Sequence, residues 1–460
     1  MSADTPAAAP AAPQDPFRLV RSPEYLKLLV VAAILGVPVS AAAYGFLALV
    51  GELQSWTYTD LPEEIGFQRT PPWWPLPLLV VAGLLVGTTI RRLPGEGGHK
   101  PAEGLKATGV ARPIDLPGIF IAALATLSLG AVLGPEAPLI ALGGGLAAGA
   151  LRLMKRNTPP NAVAVVGSAG SFAAISTLLG SPLLGAFLLM EASGLGGPLL
   201  GMVLVPGLLA SGVGTLVFIG LDAWGGLGTY SLTLINVPPV SRPDTAEFGW
   251  ALVIGVAAAV FGAGIHRLSL WLQARVELRT VPATVLMGLV VGGLAIAYAE
   301  SSGKEAADVL YSGQDALNPL LAGRASYSVG VLVLLLACKG LAYCASLSSF
   351  RGGPIFPAMF LGGVGGIVLS HCPGLPVTYG FAMGIGAMSV AMLKLPMVSV
   401  LLATLLLGSP GLTVMPVVIV AVVVSYVVSL RLAPTPPGSP PPPPEAPEAP
   451  KAPKAPDRTT

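Results

Sequence analysis

One carboxylate, Glu136, sits in the run Gly134-Pro135-Glu136-Ala137-Pro138 inside a long apolar stretch. Glycine and proline stop a helix and let it restart, and proline at a helix start forfeits no N–H bond. A helix restarting in the interior turns unpaired N–H groups and the positive end of its dipole inward. Such an end draws an anion without burying a full positive charge. The same N–H groups would hold a carboxylate. Glu136 therefore reads as an occupant of an anion site, leaving it when protonated or displaced: a gate and a proton acceptor. The plainer alternative is a helix-start glutamate favoured by the dipole. A charge at membrane depth costs about 2.5–3.5 kcal/mol on insertion scales, so its presence there asks for a reason.

The motif occurs twice. Gly134-Pro135-Glu136-Ala137-Pro138 with Leu142-Gly143-Gly144 recurs as Gly353-Pro354-Ile355-Phe356-Pro357 with Leu361-Gly362-Gly363, at a constant offset of 219 residues. A second pair follows, Pro182-Leu183-Leu184 and Pro396-Met397-Val398, offset by 214. Both halves share one plan: a break, a short helix, a Gly-rich helix, then a Pro-started short helix. Constant spacing across two separate elements argues against chance likeness. Two such helix starts facing each other near the midplane would make a site for a partly dehydrated anion. The second copy has Ile355 where the first has Glu136, so one gate is expected.

The elements that must position these residues are membrane helices. The 460 residues are 53% hydrophobic and 10% charged, against roughly a quarter charged in soluble domains. Long apolar segments lie near 25–51, 73–90, 117–133, 198–220, 248–273, 281–299, 328–346 and 413–431. Shorter, Gly- and Pro-punctuated pieces lie at 137–153, 161–179, 182–192, 357–370, 378–393 and 396–408. The short ones suit half-helices ending inside a protein. Arg18, Arg21 and Lys27 precede the first span, Arg91, Arg92 and Lys100 follow the second, and Arg152, Lys155 and Arg156 follow a later pair. The loop between the first two spans is acidic, so the N-terminus is expected in the cytoplasm. No cleavable signal is evident. Residues 1–24 and the Pro/Ala-rich 433–460 read as disordered flanks of a membrane domain at 25–432, with repeats at about 72–220 and 281–431.

A net charge of +2 gives no electrostatic case for nucleic acid. The cysteines (Cys338, Cys344, Cys372) and histidines (His99, His266, His371) show no metal-ligand spacing. Cysteines are expected as small buried hydrophobes, and neither a metal, a cofactor nor a catalytic residue is implied. Gly167-Ser168-Ala169-Gly170-Ser171 reads as close helix packing rather than a hydrolase serine. Trp73 and Trp74 read as interfacial anchors. Arg351, just before the second break, either draws anions into a vestibule or snorkels to the interface.

At this point the residues resemble the CLC-type chloride channel and chloride/proton antiporter family, over about 25–431. The family signature G-[KR]-E-G-P is matched by Gly134–Pro138, G-x-F-x-P by Gly353–Pro357, and P-L-A-G-x-L-F-x-x-E by Pro182–Glu191. The resemblance implies an all-α integral membrane fold of two inverted-topology repeats of broken and tilted helices, a homodimer, and Glu136 as the gating glutamate. Anion donors would come from the backbone around Gly134, Pro135, Ala137, Pro138, Gly353, Ile355 and Phe356. There are departures. The family's G-S-G-I-P loop falls at Gly97-Gly98-His99-Lys100-Pro101, so its serine is missing; backbone at Gly98 or the ring of His99 would substitute. Pro354 lacks an N–H. The inner proton-transfer glutamate aligns with Ala192, beside Glu191. The Pro-rich tail begins soon after Tyr426, where a last short helix and a pore-lining tyrosine are expected, and no CBS-like domain follows.

The reading that results is multi-pass transport of chloride or a similar small anion across the plasma (inner) membrane, channel-like or weakly coupled. Proton-coupled chloride antiport is the alternative. A secondary metabolite transporter would need paired intramembrane acids, and an intramembrane hydrolase would need Ser168 near His266 or His371.

Overall fold

The computed structural model describes residues 22–433 apart from 106–108, 155–156, 177, 180, 195–197, 226–231, 233 and 235–236. Of the expected flanks 1–24 and 433–460, residues 1–21 and 434–460, with Arg18 and Arg21, lie outside the described residues, as do Lys155 and Arg156; within the first flank Pro23 and Glu24 already belong to a helix. The described chain is helical. In order it forms α1 (Pro23–Ser55), a short α2 (Leu61–Glu64), α3 (Pro75–Arg92), α4 (Leu116–Ser128), α5 (Glu136–Met154) and α6 (Pro160–Ala174). There follow α7 (Pro182–Ser193), α8 (Pro198–Gly225), α9 (Thr245–Val276), α10 (Thr280–Ser302) and a short α11 (Leu317–Ala322). The chain closes with α12 (Val329–Ser349), α13 (Ile355–Leu369), α14 (Val377–Leu393), α15 (Pro396–Leu406) and α16 (Gly411–Leu432).

The helix starts have local causes. Proline occupies the first turn of α1, α3, α6, α7 and α15, where its missing N–H is no loss. Asp244 and Glu247 form a reciprocal capping box at α9. Seven helical stretches among the described residues are long and apolar enough to cross a membrane. Their outward faces carry exposed Leu26, Ile34 and Leu216, which suits lipid rather than water. By contrast α13 has 15 residues and α15 has 11. At 1.5 Å per residue neither reaches across a core of about 30 Å.

Two expected boundaries shift. The apolar run expected as one span at 117–133 is helical only to Ser128. Gly130 takes φ 103°, and the chain runs on non-helically to Glu136. The segment expected as a shorter piece at 137–153 is a 19-residue helix, α5, which counts among the span-length helices.

The two repeats pack alike. Gly143 of α5 meets Gly170 of α6, and Gly362 of α13 meets Gly384 of α14; in each pair a Cβ would strike the partner's backbone. These pairs sit at the same offsets, 219 and 214, as the sequence motifs. Gly and Ala at such contacts let helix backbones approach closely without hydrophobic drive. Large aromatic side chains of the second repeat fill its interior: Tyr343, Phe350, Phe356, Phe360, Tyr379 and Phe381 are all fully buried.

Candidate functional site

The two helix breaks meet. Gly134 N–H donates to Gly353 O at 2.8 Å and Gly353 N–H donates to Gly134 O at 2.6 Å, an antiparallel bridge between motif-equivalent residues. Equivalent residues that exchange both hydrogen bonds lie on a local two-fold axis. The antiparallel sense means that the two repeats enter the site from opposite directions, as inverted topology requires.

At each break, bonds to distant side chains satisfy part of the interior backbone. In the first, Val132 N–H donates to Ser346 Oγ at 3.0 Å, and Leu129 O accepts from Tyr58 Oη at 2.9 Å. In the second, Arg351 N–H donates to Thr126 Oγ1 at 3.3 Å, and Pro354 O accepts from Tyr343 Oη at 2.7 Å. Each new helix then has a proline at its third position, Pro138 in α5 and Pro357 in α13. Two amides per helix start are thus left to face inward: Glu136 and Ala137 on one side, Ile355 and Phe356 on the other.

Glu136 is fully buried between them. Its Oε1 accepts from Phe356 N–H at 3.0 Å, across the repeat boundary. Among the described residues its Oε2 has no hydrogen-bond partner. A Cβ placed on Gly134 or Gly353 would overlap this carboxylate, so both glycines are needed to admit it. The carboxylate lies where convergent helix dipoles favour negative charge, yet one oxygen is unsatisfied, which costs about 1–3 kcal/mol.

Other anticipated residues lie elsewhere or are already engaged. Gly98 N–H donates to Gly95 O at 2.8 Å, and the His99 ring pairs with Gly104 O; both groups are spent within their own loop. Glu191 reaches the start of α15, where Oε1 accepts from Met397 N–H at 3.0 Å and Oε2 from Val398 N–H at 2.8 Å. Ala192 packs against the core. Ser168 lies on α6, which packs on α1, α5 and α8, whereas His266 lies on α9, against α12, α14 and α16. His371 is bonded to Ile367 O at 3.0 Å.

Three expectations need correction. Trp74 is not an interfacial anchor: it is buried, and its Nε1 donates to Thr57 O at 2.8 Å. Cys372 is exposed, unlike Cys338 and Cys344. Arg351 does not snorkel, since 6% of its surface is exposed. Tyr343 was not anticipated. Its hydroxyl fixes the break beside Glu136 from α12, and nothing in the local sequence marks it apart from other tyrosines.

The fold and sequence have known counterparts. A slow cyanobacterial Cl−/H+ antiporter superposes with TM-score 0.71 and 17% identity, covering 88% of this chain and 95% of its own. A CLC-type fluoride/proton antiporter gives TM-score 0.65 and 17% identity, covering 89% and 96%. In sequence, the protein named "Putative ion-transport protein YfeO" of Salmonella paratyphi A is 27% identical over 362 residues, covering 77% of this chain and 84% of its own. The family model for voltage gated chloride channels matches residues 82–430. That is most of the chain, and the protein belongs to this CLC family of anion-transporting membrane proteins.

Proposed function

We propose that the chain carries chloride or a similar small anion through the meeting point of its two helix breaks, with Glu136 as the gate. The observation that carries this reading is a fully buried carboxylate, held by one cross-repeat amide while its second oxygen stays unpartnered. An incoming anion replaces the carboxylate on Phe356 N–H and its neighbours; protonation of Glu136 removes the charge that competes with it. The donors are the amides of Glu136, Ala137, Ile355 and Phe356, while Gly134, Gly353 and the prolines shape the opening.

Transport on this reading is channel-like or weakly coupled, because Ala192 stands where the resemblance places an inner proton-transfer glutamate. Proton-coupled exchange is the second reading, favoured by the likeness to proteins named as chloride/proton and fluoride/proton antiporters. The protein acts as a homodimer with one pathway per subunit, in the plasma membrane with its N-terminus cytoplasmic, and is not an enzyme. Its membrane domain is 25–432, with repeats near 72–220 and 281–431.

Liposome flux tests these readings. Chloride efflux under a chloride gradient, without proton uptake, fits the first. Efflux that drives proton movement against an imposed pH gradient fits the second. If Glu136→Ala leaves pH-dependent flux unchanged, the gate assignment fails.

A further inference from the structure

Lys339 of α12 is fully buried. Its ammonium donates to three successive carbonyls: Asp308 O at 2.9 Å, Val309 O at 3.2 Å and Leu310 O at 2.8 Å. An ammonium has three hydrogens, so all are spent on one short segment. The Asp308 carboxylate supplies the favourable charge, and it accepts in turn from Tyr298 Oη at 3.0 Å. The Phe360 ring centroid lies 4.5 Å from the ammonium. Lys339 thus fastens residues 306–311 to the interior.

That segment lies at the end of the molecule away from Lys100. α10 begins just beyond Glu277, the partner of Lys100, and its 23 residues carry the chain roughly 35 Å before the segment starts. There the segment meets both walls of the Glu136 site. On one side Tyr311 N–H donates to Gly130 O of the first break at 3.4 Å, and the Tyr311 and Tyr58 ring centroids are 5.3 Å apart. On the other side Gly313 lies against Phe360, where a Cβ would come within 2.7 Å of the ring. Phe360 is one turn along α13 from Phe356, whose N–H holds Glu136. Tyr311 takes φ 57°, a conformation kept only where the surroundings enforce it. One face of α12 carries all the ties: Lys339 to the segment, Tyr343 to the second break and Ser346 to the first.

We propose that Lys339 is a positioning residue for anion selection, fastening 306–311 as a brace between the first break and α13 and so fixing the width of the Glu136 site. This deepens the reading that anions pass between the paired breaks, and rests on it. Helix-start amides attract any small anion. They discriminate by size only if the two walls cannot move apart. The bridge between Gly134 and Gly353 ties the walls at one point, and the brace ties them at a second. Without the ammonium, three interior carbonyls lose their donor. The segment then relaxes, the walls separate, and a larger anion enters more easily.

Thiocyanate, larger than chloride, is the probe. In liposomes holding the full chain, Lys339→Met should raise the thiocyanate-to-chloride flux ratio at least threefold. Deuterium exchange at the Leu310 and Tyr311 amides should quicken at least tenfold in the same variant. Lys339→Met removes three interior bonds and could prevent folding, so Gly313→Ala is the companion. It keeps Lys339, drives the segment off Phe360, and should raise the ratio at least twofold. An unchanged ratio in Gly313→Ala overturns the proposal whether or not Lys339→Met folds, and leaves the transport site standing. Asp244→Ala, which breaks the α9 capping box, should lower the melting temperature and leave the ratio alone. A ratio that rises there too makes Lys339 a general stabiliser and overturns the proposal. Wild-type liposomes that pass neither anion overturn the transport reading itself.

Discussion

Glu136 and Glu191 invite comparison, because both carboxylates belong to the first repeat and both accept from helix starts of the second. Glu191 reaches α15 with both oxygens bonded, to Met397 N–H and Val398 N–H. Glu136 reaches α13 with one oxygen bonded and the other bare, in complete burial. The first arrangement is a finished cap, worth keeping closed. The second is a cap left half made among the described residues, in complete burial. Similar chemistry thus yields a carboxylate with both oxygens bonded in one case and one with a bare oxygen in the other, and the difference lies in how many donors each carboxylate meets.

The largest effect should come from removing the half-made cap. Glu136→Ala should flatten the pH dependence of chloride flux in liposomes while flux itself persists, because the amides remain and their competitor is gone. Glu191→Ala in the same assay should leave the pH profile as it is. If the two variants exchange these outcomes, the comparison is inverted and Glu191 is the proton-handling group.

Closing the glycine cradle should come next. At Gly353 a Cβ would overlap the Glu136 carboxylate and lie 3.1 Å from Ala137 N. Gly353→Ala should therefore cut flux at least tenfold and cost about 1–3 kcal/mol of stability, the usual range for overpacking. Flux at the wild-type rate would mean that the carboxylate does not sit between the two glycines during transport.

Breaking the finished cap should act on stability alone. Glu191→Ala leaves two α15 amides without their acceptor, and charged hydrogen bonds contribute about 1.5–3 kcal/mol. The group is only half-buried, which places the expected loss toward the lower end of that range, read as a lower melting temperature in detergent. Glu191→Gln, which still offers one carbonyl oxygen, should recover part of it.

Most of this architecture was legible from residue order. Proline and glycine mark helix ends whatever surrounds them, so the starts at Pro182 and Pro396 and the break at Gly134 could be placed to within a few residues. The duplicated motif also foretold that the two breaks meet, since a repeat pair in one membrane domain has few other ways to bury its open helix ends. What escaped was set by partners distant in sequence. Tyr343 matters because its hydroxyl meets Pro354 O, and Glu191 is a cap only because α15 begins within its reach. Gly98 looked like a free amide until the turn onto Gly95 O used it. The early end of α4 follows from Gly130 entering the left-handed region and Tyr58 bonding Leu129 O, a contact across 71 residues. Local composition records where a helix can stop, and tertiary hydrogen bonds decide where it does.

The smallest effect concerns a third carboxylate, Glu277, which pairs with Lys100 at 2.7 Å where both side chains remain partly exposed, 48% and 32%. It extends the comparison to a pair that water can replace. The bond to Glu277 holds the Lys100 ammonium above the ordinary lysine range, with the neighbouring carboxylates adding to the effect and burial opposing it. A lysine raised in this way stabilises the fold fully below its unfolded pKa of about 10.4, and the contribution fades as pH rises through the higher folded value. Solvent and salt reduce an exposed pair to about 0–1 kcal/mol. Lys100→Met should therefore lower the melting temperature slightly at pH 7 and low salt, with the difference from wild type vanishing at high salt or strongly alkaline pH. A penalty as large as that of Glu191→Ala, or one indifferent to salt, would place Lys100 among the interior ties, and the gradation from bare to capped to solvated carboxylate would lose its last step.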